Sequence, residues 1–142
     1  MANRSDPGME RPKAGAVLFA KDHLNLARFY TEAMGLTPLS RAADHIVLSC
    51  EGFRLVVHQI PSAIAEEIKI DTPPRRRESG AIKLAFAVDS LEQARTAVAA
   101  LGGTVDPVAS EWSDGETTTC IGHDPEGNTF NVFVYRAAAH TP

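Results

Sequence analysis

The stretch Gly122-His123-Asp124-Pro125-Glu126-Gly127-Asn128-Thr129-Phe130-Asn131 decides the reading of this chain. Pro125 presets φ for the second position of a tight turn, Gly127 tolerates the left-handed conformation that closes it, and Asp124 caps it through its side chain. Phe130, Val132 and Val134 then alternate with Asn131, Phe133 and Tyr135, which predicts a strand with one packed face and one facing something else. A shorter version of the same signal, Glu51-Gly52, precedes the strand-like run Phe53 to Gln59.

These two turns are the last hairpins of a repeat with an offset of about 68 residues. The first copy opens with Ala14 to Ala20, continues in a helix from Asp22 to Met34 and stops at Gly35. The second opens with Ala81 to Val88, continues in a helix from Ser90 to Leu101 and stops at Gly102-Gly103. Asp22 can serve as N-cap, and Ser90 with Gln93 is a capping-box pattern. Leu26, Phe29, Tyr30, Ala33 and Met34 form one apolar helical stripe; Leu91, Ala94, Val98 and Leu101 form the other. Strand-like runs follow at Leu36 to Arg41, His45 to Cys50 and Phe53 to Gln59, and again at Thr104 to Val108, Glu116 to Gly122 and Asn128 to Tyr135. Each half reads β-α-β-β-β. The fold class is α+β: module one about 14–60, a linker at 61–80, module two about 81–136, with a flexible extension at 1–13 and a tail at 137–142. The linker holds three prolines, the apolar pair Ile64 and Ile68, and the basic run Arg75-Arg76-Arg77, which reads as solvated.

Composition narrows the function classes. A chain of 142 residues, 44% of them hydrophobic, is sized for one globular domain. A formal charge of -4 with no dominant basic face argues against a nucleic-acid partner. No apolar run approaches the roughly 18 residues of a membrane helix, and no signal-peptide core is present. Cys50 and Cys120 lack metal-ligand spacing and read as reduced, buried thiols of a cytoplasmic protein.

Alternation separates the strand faces. Ile82, Leu84, Phe86 and Val88 are expected against the helices, with Lys83, Ala85 and Ala87 facing away. Gly15, Val17 and Phe19 face away in the first strand, Arg54, Val56 and His58 in the fourth, and Thr129, Asn131, Phe133 and Tyr135 in the last. A surface mixing small, aromatic and polar residues suits a ligand; a second packed core or a dimer contact is the alternative.

With Asp22 followed by Phe29-Tyr30 and Gly35-Leu36, the Val88-Asp89 to Gly103 unit, and Asp124-Pro125-Glu126-Gly127-Asn128, the chain resembles the vicinal-oxygen-chelate superfamily over residues 14–136. That superfamily includes glyoxalases, extradiol dioxygenases, fosfomycin-modifying enzymes and bleomycin-resistance proteins. The resemblance implies two βαβββ modules forming curved, partly open mixed sheets around a cavity, and a homodimer. It also implies metal ligands, usually His and Glu, at positions occupied here by Gly15, Val56, Lys83 and Asn131. Gly and Val offer no ligand, Lys is cationic, and Asn presents a weak neutral carbonyl. The expectation is therefore that no metal and no other cofactor is bound.

The leading expectation is a metal-free protein that binds a small organic molecule, as in the drug-sequestering branch. Phe19, Phe133, Tyr135 and Trp112 are candidate apolar walls, beside Val56; Arg54, His58, Lys83 and Asn131 are candidate polar contacts. The basic groups among them point to an anionic ligand, and the aromatic walls to an aromatic one. Trp112, in the polar stretch Ser110 to Gly115, reads as a lid contact or a packing anchor. His58 could be a general base, a displaced ligand or a ligand contact, against a rim histidine with no carboxylate nearby in sequence. His123 reads as stabilising its turn; His23, His45 and His140 read as bland. The competing expectation is an enzyme: a lyase or dioxygenase with relocated metal ligands, or a metal-free acid–base catalyst using His58.

Overall fold

The structure, a computed structural model, describes residues 11–136. The expected flexible extension lies outside that range except for residues 11–13, and the tail with His140 lies wholly outside it. Within it, 11–69 and 70–136 form two compact units.

The first unit runs β1 (Ala14–Ala20), α1 (His23–Met34), β2 (Thr37–Arg41), β3 (His45–Cys50), β4 (Phe53–Gln59) and a short α2 (Ser62–Ala65). Its sheet has the order β1-β4-β3-β2, with β1 parallel to β4 and the other pairs antiparallel. The Asp22 carboxylate accepts from Asn25 N and starts α1, and Gly35 ends it. Leu26, Ala27, Phe29, Tyr30 and Met34 are buried on α1, which packs on β1, β3 and β4. Beneath them the register aligns Leu55 with Leu48 and Ala16, and Val57 with Ile46 and Leu18. Each fully buried side chain of this size contributes about 2 kcal/mol.

The second unit repeats the plan with an addition: β5 (Leu84–Ala87), α3 (Leu91–Ala100), β6 (Thr104–Val105), a 3-10 turn (Val108–Ser110), β7 (Trp112–Asp114), β8 (Thr117–His123) and β9 (Thr129–Tyr135). The sheet order is β5-β9-β8-β6, with β7 also pairing β8 and β5 parallel to β9. Ser90 Oγ accepts from Gln93 N at the start of α3, and Leu91, Ala94 and Val98 are its buried stripe. Neither sheet closes on itself. Among the described residues no helix is long and apolar enough to cross a membrane.

Three expectations need correction. The strand expected from Ala81 begins only at Leu84, so Lys83 stands off it and Ile82 is 83% exposed. Segment 75–77 already uses the neighbouring groups of β9: Arg77 N donates to Gly127 O, and Thr129 Oγ1 donates to Arg77 O. Parallel pairing therefore starts at Leu84 with Phe130. Within the arginine run Arg75 and Arg77 are exposed as expected, whereas Arg76 is half-buried and paired. Finally, Ser110 to Gly115 contains β7, a short strand that exists because β8 pairs it.

The turn between β8 and β9 is built on a fully buried carboxylate. Asp124 Oδ1 accepts from Glu126 N (2.9 Å) and Asn128 N (3.0 Å), and Oδ2 accepts from Asn128 Nδ2 (2.9 Å). Gly127 sits at φ 86°, and a Cβ there would overlap Arg75 O. Substituting Asp124→Ala leaves these donors without their acceptor and should lower unfolding free energy by about 3 kcal/mol. Asp124→Asn, which keeps one acceptor oxygen, should lose clearly less; urea titrations of the three proteins measure the order.

Candidate functional site

Each helix covers one face of its own sheet, and the candidate residues lie on the opposite faces. In the first unit the parallel register places Gly15 beside Arg54, Val17 beside Val56 and Phe19 beside His58. Val17 and Phe19 are 54% and 60% exposed. An open groove of about 370 Å³ runs along this face, lined by Lys13, Gly15, Val17, Arg54 and Val56 among others. The candidates Phe19, Arg54, Val56 and His58 thus share one surface.

His58 has neighbours that the sequence reading did not supply. The antiparallel register sets His45 directly opposite His58, and their rings stack at 5.6 Å with 9° between planes. Phe19 lies on the other side, 5.8 Å from the His58 ring. His45 Nδ1 hydrogen-bonds Asp44 Oδ1 at 2.7 Å, and His58 Nε2 stands 3.7 Å from Asp44 Oδ2. The hydrogen bond from His45 holds the Asp44 carboxyl below its ordinary value, so it is a carboxylate at neutral pH. His58 therefore does have a carboxylate beside it, and His45 has a hydrogen-bond partner in Asp44. Glu51-Gly52 could have shown this, because a two-residue turn pairing Cys50 with Phe53 forces His45 onto His58.

In the second unit the register builds rows across the face opposite α3: Ala85-Asn131-Ile121 and Ala87-Phe133-Thr119-Trp112. Phe133 and Tyr135 meet edge to face at 5.5 Å. Trp112, 41% exposed, shares the surface with Phe133 through two strand pairings. At the centre, Asn131 Oδ1 is buried and has no hydrogen-bond partner. Trp112, Asn131, Phe133 and Tyr135 are thus brought together, while Lys83 lies outside β5.

One end of this face is strapped by segment 75–77. Arg76 donates to both oxygens of Asp106 (2.9 and 2.7 Å) and, through Nε, to His123 Nδ1 at 2.9 Å. Arg95 donates to Asp106 O and Glu111. This polar network holds β6, its following turn and the strap together; the His123 side chain serves the strap, while Asp124 holds the turn that His123 was expected to stabilise.

The fold also tests the metal that the superfamily implies. A Cβ at Gly15 would overlap Arg54 O, so no ligating side chain fits that position on this backbone. Val56 has no donor atom, Lys83 is off the strand, and Asn131 supplies one neutral carbonyl. The residues do not fit a divalent metal at those positions.

A two-sheet α+β chain with each first strand parallel to its last defines a class of paired βαβββ proteins. The glyoxalase-like domain family model matches residues 15–133, and the chain belongs to that family, within the vicinal-oxygen-chelate superfamily. Among solved structures it is similar to a glyoxalase/bleomycin resistance protein/dioxygenase family enzyme from Burkholderia phytofirmans PsJN, at 17% identity and TM-score 0.62, covering 88% of this chain and 99% of that one. An integron cassette protein from the mobile metagenome of V. cholerae matches at 22% identity and TM-score 0.58, covering 89% and 96%. A glyoxalase-related enzyme from Fulvimarina pelagi matches at 21% and 0.60, covering 88% of each. At these identities the likeness shows the fold alone. No curated protein matches the chain.

The strap makes stability pH-dependent. Burial, with the Arg76 charge beside it, holds the His123 pKa below its ordinary value. The unfolded chain then binds more protons than the folded one just below about pH 6.5. This contribution is full above that pH and is lost as pH falls through the lowered folded value. Asp106, depressed first by its hydrogen bonds from Arg76, keeps its contribution down to about pH 4 and loses it below. Urea midpoints measured from pH 7.5 to 5 should fall less steeply for His123→Asn than for the unsubstituted chain.

Proposed function

We propose that the chain is a small-molecule-binding protein similar to the drug-sequestering branch of its superfamily, acting without metal at the usual positions, as a cytoplasmic homodimer. The observation that carries this reading is Asn131 Oδ1, buried and unpartnered on the sheet face opposite α3. A buried acceptor without a donor costs about 1–3 kcal/mol, which a ligand N–H or O–H recovers. Around it, Phe133, Tyr135 and Trp112 supply aromatic surface, and Ala85 and Ala87 leave space beside the Asn131 and Phe133 strand. The ligand that suits this face is aromatic and carries a hydrogen-bond donor. In the first unit, Lys13 and Arg54 beside Val17 and Val56 suit an anionic group. The 83% exposed Ile82 favours a partner subunit, and the free thiols Cys50 and Cys120 accord with a reducing compartment.

The enzyme reading through His58 has one supporting observation, the Asp44 carboxylate at 3.7 Å. Turnover of small oxo-acids that survives chelator and is lost in His58→Ala would move the assignment there.

The binding reading is tested by thermal shifts of chelator-treated protein against aromatic antibiotics and small oxo-acids. At least one aromatic donor compound should raise the melting temperature, and Asn131→Leu should abolish that rise. Without ligand, Asn131→Leu should be neutral or stabilising by about 1 kcal/mol, because it removes an unmatched buried acceptor. A shift that survives Asn131→Leu, or no shift with any compound, overturns the reading.

A further inference from the structure

We propose that Asp44, His45 and His58 form a surface site for one divalent transition-metal ion, separate from the positions that the superfamily uses. One ligating atom from each of the three side chains lies within 4.8 Å of the others. Two imidazoles and one carboxylate are a donor set for zinc and its neighbours, with remaining positions left to water.

The hydrogen bonds around the cluster point the same way. His58 Nδ1 meets Gln59 O at 2.9 Å, and a carbonyl can only accept, so that nitrogen carries the proton. In the neutral ring, Nε2 then presents a lone pair. It faces Asp44 Oδ2 at 3.7 Å, so two acceptors confront each other beyond hydrogen-bonding range. Two ligands at 2.1 Å on a tetrahedral ion stand about 3.4 Å apart, so a few tenths of an ångström of closure would seat an ion between them. A metal-bound imidazole commonly donates its other N–H to a carbonyl, which is what Gln59 O provides.

The third ligand arrives by register. His45 stands opposite His58 with its ring parallel, and its Nδ1 shares a proton with Asp44 Oδ1 at 2.7 Å. Moving that proton to Nε2, which stays neutral overall, turns the Nδ1 lone pair toward the carboxylate; a side-chain rotation that opens the 2.7 Å gap to about 3.4 Å and turns the ring out of the stack then lets it share the ion. The three side chains lie on the surface of the first unit, about one-third to two-thirds exposed, so the ion can enter without opening the fold. Nothing in this site uses Asn131 or the aromatic face of the second unit.

The probe is zinc chloride, titrated calorimetrically into the full chain after chelator treatment and removal. The expected result is one ion per chain at micromolar affinity. His45→Ala and His58→Ala should each weaken binding at least tenfold with unchanged circular dichroism. In the unsubstituted chain, the ring resonances of His45 and His58 should shift together up to one equivalent of zinc, while those of His23, His123 and His140 stay in place. The ring readout needs no variant, so it stands even if a substitution disturbs folding. Absence of binding at 100-fold lower affinity than expected, a loss below tenfold in either histidine variant, or ring shifts confined to the other histidines overturns the proposal.

Discussion

Two hairpin registers govern everything that these sheets present. In the second unit the Asp124 carboxylate gathers the backbone N–H groups of Glu126 and Asn128 and thereby fixes where β9 begins against β8. Since side chains alternate with a period of two, a slip of one residue would bury Asn131 and Phe133 and expose Phe130 and Val132. In the first unit the Glu51-Gly52 turn does the same for β3 and β4, and so decides that His45 meets His58. The turns set chemistry at a distance, because every later row of side chains inherits their phase.

One helix per sheet is the second determinant. The apolar stripes of α1 and α3 each cover a single face, which leaves Val17 and Phe19 in one unit and Phe133 and Tyr135 in the other uncovered by their own helix. The chain does not spend these faces on the metal ligands that its superfamily leads one to expect. It places there a neutral amide without a partner, flat aromatic surface and, at the ends of two central strands, a histidine pair beside a carboxylate. A polar strap through Arg76 secures one end of the second face and links its stability to the neutrality of His123.

Much of this was legible in the residues. Asp22 and Ser90 cap helices where their side chains predict, and β3 and β4 have the expected bounds, because each signal is local. The errors fall where structure depends on distant pairing. Trp112 to Asp114 has too little hydrophobic pattern to predict a strand, yet Gly115 after Asp114 is a hairpin signal that would have found it. Ala81 to Lys83 alternates like a strand but finds its place beside β9 already used by Arg77. Arg76 looked solvated because its partners, Asp106 and His123, lie 30 and 47 residues away. Among the candidate residues, the shared faces were readable from alternation, whereas the missing partner of Asn131 could only be seen in three dimensions.

Gly15 allows β1 and β4 to approach closely, and that economy constrains how the protein can change. Any substitution that adds a ligand at this position must first push apart the parallel pair formed by the first and last strands of its sheet. A single-step route to a metal ligand at that position therefore runs through a less stable chain. The fold is open to new chemistry mainly at sites, such as the rim of β3 and β4, where side chains can vary without moving the backbone.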